Sequence, residues 1–188
     1  MAQRYQRSII VIAVIGLALF GAFYVTQYIE SHAEAQALLT DFGYPGALLL
    51  AFVFGISAVI PVPPGSFAPA FVAAGLSLPI IIVMLTLGTT LADLVGYYLG
   101  QHSREFIKER FPRTYRLVAQ VRDKPAIYLY VVVFAYAAFV PLPNEALVIP
   151  LGVIGYHIRS FIIPLVLATL TNHTATSLGA AALFSLFT

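Results

Sequence analysis

Long charge-free apolar stretches, separated by two polar segments, set the pattern of this chain. Ser8 to Ile29 carries no charged side chain and follows Arg4 and Arg7. This predicts a first membrane-crossing helix with its N-terminus on the cytoplasmic side, because basic residues flank the inner end of a span. Ala33, Ala35 and Ala37 have the spacing of a leader cleavage site, but the apolar stretch exceeds a leader core of about 7 to 15 residues. Next come Glu30, Glu34 and Asp41 without Lys or Arg, as expected of an outer acidic loop.

Phe42 to Leu91 holds no charge, yet Pro61, Val62, Pro63, Pro64 and Gly65 lie inside it, and Gly75 and Pro79 interrupt it again. Proline removes a backbone donor and breaks helices. The piece from Ser66 to Leu78 would span only about 20 Å as a helix, short of a hydrocarbon core of about 30 Å. Residues 44–78 therefore read as a re-entrant hairpin from the outer side with a Pro-rich tip near mid-depth. A crossing helix follows from about Ile80 to Gly100. Gln101 to Lys124 carries Arg104, Lys108, Arg110, Arg113, Arg116, Arg122 and Lys124 against three acids, which marks an inner loop. Phe106, Ile107 and Phe111 among these charges fit a short amphipathic helix on the headgroups, or a plain solvated connector.

Pro125 to Pro150 repeats the same order: an apolar arm, then Pro141, Leu142, Pro143 and Asn144, then a return arm from Glu145 to Tyr156 of about 18 Å. His157 and Arg159 fall at an inner turn, and 160–188 forms a last crossing. In a rival reading 125–144 crosses fully and Arg159 lies outside. Pro61 and Pro63 correspond to Pro141 and Pro143, while Val83, Thr86, Leu87, Ala92 and Gly96 match Val166, Thr169, Leu170, Ala175 and Gly179 at a constant offset. The expected fold is an all-α integral membrane protein. It is an inverted repeat of re-entrant helical hairpin plus transmembrane helix, preceded by one N-terminal transmembrane helix. The divisions are 1–41 and a membrane domain 42–188, with repeats at about 44–100 and 125–188 around the basic loop 101–124. Two return helices starting at facing tips present unpaired N–H groups, which attract an anion such as phosphate. Ser66 and Asn144 suit either capping those donors or touching the ligand.

Composition narrows the classes. Of 188 residues 60% are hydrophobic and 10% charged, and the mean hydropathy is +0.91, well outside the range of soluble domains. A net charge of +2 gives no sign of nucleic acid, and the absence of cysteine removes disulfides and thiol chemistry. There is no Gly-x-Ser-x-Gly elbow or glycine-rich phosphate loop, and His32, His102, His157 and His173 form no close ligand pair. These features argue against an enzyme, and no cofactor is expected.

Pro63, Pro64 and Gly65, then Ala74 and Gly75, then Gly88, Asp93, Tyr97 and Gly100 resemble the DedA or SNARE-associated (VTT) membrane proteins. The likeness runs from about Tyr44 to the C-terminus. The run Pro141, Leu142, Pro143, Asn144, Glu145, with Gly152, Gly155 and Tyr156, is similar to small divergent members of that superfamily. The resemblance implies paired re-entrant hairpins and movement of phospholipids or polyprenyl phosphates between leaflets, in some members driven by protons. This chain departs from the better known bacterial branch. Ser66 replaces an acid after the Pro-Gly, Phe54 or its neighbours replace a second acid, Ala138 and Asn144 stand where arginines flank the second tip, and Gln101 replaces an Arg. Proton coupling through the usual acids is therefore not carried over.

Polar side chains inside the spans are expensive and mark function or a satisfied internal bond. Asp93 lies about 16 Å along a helix from Arg104, near mid-bilayer. It either faces a cavity or bonds Thr89 and Thr90. Asn172, His173 and Thr176 form a stripe on the matching helix, and His173 either exchanges protons with Asp93 or packs between helices. Glu145, in the first turn after the second tip, is favoured there by the helix dipole, and its protonation would open an anion site. Arg159 either anchors at the interface or meets a headgroup. The tyrosines near the span ends fit an aromatic belt.

The expected function is a flippase or scramblase in the plasma membrane, multi-pass, acting on anionic phospholipid or lipid phosphate. Ser66, Asn144, Glu145 and Arg159 are its binding residues and Asp93, Glu145 and His173 its coupling groups. Glycine and alanine on the crossings permit a homo-oligomer. A transporter of a small polar solute and a non-transporting scaffold are the alternatives.

Overall fold

The apolar stretches fold as helices, which satisfy every backbone group within one segment where water is absent. The structure, a computed structural model, describes residues 2–56, 63–140 and 142–186, by backbone alone at 2–12, 14, 15 and 18. Among these residues there is no strand. In chain order the α-helices are α1 (Ala2–Ser31), α2 (Ala33–Ile56), α3 (Ala68–Ala73), α4 (Leu78–His102), α5 (Arg104–Arg110), α6 (Pro112–Ala119), α7 (Ala126–Phe139), α8 (Glu145–Val153) and α9 (Ile162–Phe184). Among the described residues α2 and α4 are long and apolar enough to cross a membrane. At 23 residues α9 has the length, but Thr169, Asn172, His173 and Thr176 dilute its apolar character.

The acidic segment, expected as a loop, is helical. Ala33, Ala35, Ala37, Leu38 and Leu39 are strong helix formers, and Glu34 sits favourably in the first turn of α2. The break comes at Gly43, whose φ of 53° and ψ of −146° kink the helix just before Pro45.

Pro61, Val62 and Pro141, expected at the tips, lie outside the described residues. From Pro63 the chain turns through the 3-10 segment Pro64–Phe67 into α3, and from Pro143 through Asn144 into α8. Helices α3 and α8 are each shorter than the return arm the sequence pattern predicts, and both stop in the same way. The N–H groups of Ala74 and Gly75 donate to the carbonyls of Ala70 and Val72, and that of Leu76 to Phe71. Ile154, Gly155 and Tyr156 donate likewise to Pro150, Gly152 and Leu151. Gly75 and Gly155 both take positive φ, the left-handed C-terminal stop that glycine favours. After this point the halves differ. The first enters α4 at Leu78, whereas the second inserts the 3-10 turn Ile158–Ser160 before α9.

Packing is exchanged between the halves. Helix α4 packs on α2 and on α8, while α9 packs on α7 and on α3 with the turn before it, and α4 meets α9. Along α4 the large side chains Ile80, Val83, Leu87, Leu91, Val95 and Tyr98 are exposed, while Ile81, Leu85, Gly88, Ala92, Asp93, Gly96 and Gly100 face inward. Small and polar residues inside with large apolar residues outside is the arrangement of a helix facing lipid. Helices α4 and α8 touch backbone to backbone. A Cβ at Gly100 would overlap the Ile149 carbonyl, and one at Gly152 the Tyr97 carbonyl.

Candidate functional site

Helical spacing brings the polar groups to one place. On α4, Thr89 and Asp93 lie one turn apart. On α9, Thr169, Asn172, His173 and Thr176 follow the three-and-four spacing of one face. Where α4 and α9 meet, these faces enclose a cavity of about 380 Å³. Its described walls also include Phe54 and Gly55 of α2, Pro63 and Pro64, the end of α7 from Ala137 with Val140, Leu142 to Glu145, and Ala175 of α9. The two described tip segments therefore reach the same space.

Asn144 Nδ2 donates to Asp93 Oδ2 at 3.0 Å, and Thr89 Oγ1 lies 2.9 Å from His173 Nε2. The second tip is braced by Tyr136, whose hydroxyl donates to the Pro143 carbonyl at 3.2 Å. Asn172 Nδ2 donates to the Ala138 carbonyl at 3.1 Å. Asp93 is 1% exposed, His173 2% and Glu145 8%. Glu145 Oε1, His173 Nδ1 and Thr169 Oγ1 are buried with no partner among the described residues, so each retains hydrogen-bonding capacity within the protein interior. The described lining contains two carboxylates and neither Lys nor Arg.

Asp93, Asn144, Glu145, His173, Pro63, Pro64 and Pro143 thus line one cavity. Asp93 is partnered by Asn144 rather than by Thr89 or Thr90, since Thr90 donates to the Thr86 carbonyl and Thr89 meets His173. Gly65 is buried against α9, where a Cβ would overlap the Thr176 hydroxyl. Ser66 is buried outside the described lining, its hydroxyl donating to the Pro63 carbonyl at 2.7 Å. Neither Ser66 nor Asn144 caps a helix with its side chain, because both take helical backbone and spend the side chain elsewhere. Arg159 is exposed on the 3-10 turn Ile158–Ser160, away from the cavity lining. Sequence reasoning missed Thr169, whose spacing from His173 and Thr176 was legible, and Tyr136, which apolar neighbours concealed. Among the described residues no three metal-ligating side chains converge.

No family model, characterised protein or solved structure matches this chain.

Proposed function

We propose that the chain is a multi-pass plasma-membrane protein of the DedA/VTT type, with its N-terminus cytoplasmic, that moves phospholipid or lipid phosphate between leaflets. In this reading residues 44–78 and 125–156 are re-entrant hairpins of an inverted repeat, and their tips form a midplane site. The supporting observation is the convergence of Pro63–Pro64 and Pro143–Glu145 on one cavity beside Asp93 and His173. The matching stops at Gly75 and Gly155 and the exchanged packing of the return arms support an internal repeat. Transporters built from inverted repeats carry their sites at such a junction.

Charge sets the conditions of passage. Ionised Asp93 and Glu145 would repel a phosphate from a cavity with no cation in its described lining. A headgroup phosphate enters when Glu145 carries a proton and its unpartnered oxygen becomes a donor to the anion. Arg159, away from the lining, serves as an interfacial anchor.

Dithionite quenching of labelled lipid in proteoliposomes tests this reading. Faster loss of the protected signal than in empty vesicles is expected, reduced in both Asp93→Asn and Glu145→Gln because neither variant can deprotonate to expel the phosphate it has admitted. No acceleration by the wild type would overturn lipid transport. Uptake of a polar solute by the same vesicles would then favour the solute transporter, to which a cavity of about 380 Å³ is also suited.

A further inference from the structure

The polar connector meets the far end of α8 through two arginines. Arg122 donates through Nη2 to the carbonyl of Ile154, just past the last turn of α8. Arg104 Nη1 and Arg122 Nη2 lie 3.1 and 3.3 Å from the point that a Cβ of residue 155 would occupy. Gly155, with a φ of 63°, has no side chain, and the guanidinium groups converge over it. A cation at a helix C-terminus is favourable, and one arginine would satisfy that carbonyl.

The second arginine leaves an excess of positive charge at a defined point. Among the described residues the ion pair is Lys108 with Glu105 at 3.8 Å, so no carboxylate there neutralises Arg104 or Arg122. Arg104 Nη2 donates to the Tyr115 hydroxyl at 3.4 Å, and its Nε is buried without a partner among the described residues. Each guanidinium carries five N–H donors in a planar fork suited to phosphate, so most remain available. Phe106 and Leu117, 64% and 66% exposed on the same connector, suit burial at a lipid interface.

We propose that Arg104 and Arg122, with Gly155 between them, bind a phosphate group at the C-terminal end of α8. The site is separate from the central cavity and does not depend on lipid transport. Because Arg122 also holds the Ile154 carbonyl, the ligand sits at the opposite end of the helix that begins with Glu145.

Native mass spectrometry of the full-length protein in neutral detergent tests the site, with dihexanoyl phosphatidate, inorganic phosphate and dihexanoyl phosphatidylcholine as probes. Phosphatidate is expected to bind more tightly than phosphatidylcholine. Arg104→Gln and Arg122→Gln are each expected to weaken it about tenfold, as expected for loss of a charge-assisted bond, whereas Arg113→Gln changes it little. Binding of phosphatidate alone identifies a lipid headgroup as the ligand. Comparable binding of inorganic phosphate identifies the free anion, and either result supports the site. Failure of both phosphate probes to bind, or equal weakening by Arg113→Gln, overturns it. Should the arginine variants misfold, phenylglyoxal modification of the wild type reads the same point. Phosphatidate should protect Arg104 and Arg122 but not Arg113, and uniform protection or none rejects the proposal.

Discussion

Asn144 holds Asp93: the amide at the second proline tip donates to a carboxylate in the interior of α4 at 3.0 Å, across 51 positions of sequence. The bond gives a buried acid its described partner and fixes the start of α8 against the long helix. Asn144→Ala removes the donor and leaves Asp93 buried. A stability loss of about 1 to 3 kcal/mol is expected, read as a lower Tm in detergent. Asp93→Asn preserves shape and keeps one oxygen able to accept, so its loss should be smaller. Equal Tm values for Asn144→Ala and wild type would show that the bond contributes nothing.

Thr89 and Thr169 make a matched pair of opposite expectation. Thr89 Oγ1 meets His173 Nε2, and replacement by valine would strand both ring nitrogens, since Nδ1 already lacks a described partner. Polar bonds between membrane helices contribute about 1 to 2 kcal/mol in model peptides, and Thr89→Val should lower the Tm accordingly. Thr169 Oγ1 is buried and without a partner among the described residues, so the near-isosteric Thr169→Val should be neutral or stabilising. Thermal unfolding of the two variants side by side checks the contrast.

Gly100 and Gly152 set the distance between α4 and α8. A methyl at either would strike the backbone of the other helix, whereas Gly179 has none of the described residues within 4 Å of the equivalent point. Gly100→Val and Gly152→Val should each cost about 1 to 3 kcal/mol or more through overpacking. Gly179→Val should cost less, and Tm measurements in one detergent give the ranking.

The legible features were those written in local pattern. Proline and glycine punctuation located the start of α8 at Glu145 and, within two residues, that of α4. Three-and-four spacing put Asn172, His173 and Thr176 on one face. What escaped was set by distant partners. Cap preference is a short-range property, so Ser66 and Asn144 read as caps or ligand contacts, although one bonds backward to Pro63 and the other reaches α4. Arg159 carried a charge suited to a headgroup, but its exposed turn lies away from the cavity lining. The helicity of 33–41 was overlooked because acidic residues suggested a loop, while the same residues favour the first turn of a helix. Arg104 and Arg122 looked like two members of a basic run, and only the folded turn at Gly155 brings them together.

The depth of the two tips separates the re-entrant reading from its rival, and the cysteine-free chain permits a direct measurement. Phe54, which lines the cavity, stacks on Phe67 with ring centroids 5.5 Å apart. Leu142 is exposed beside the second tip. With hairpins dipping from opposite faces, Phe54→Cys should react with a charged methanethiosulfonate reagent from the outer side only, and Leu142→Cys from the inner side only. If residues 125–144 instead cross the bilayer, Leu142→Cys becomes reactive from outside and Arg159 moves with it. Labelling in sealed vesicles of known orientation reads the difference. Outer labelling of both positions would remove the inverted repeat while leaving the Asp93–Asn144 contact unaffected, because that bond depends on packing between α4 and α8 and not on which face each hairpin enters.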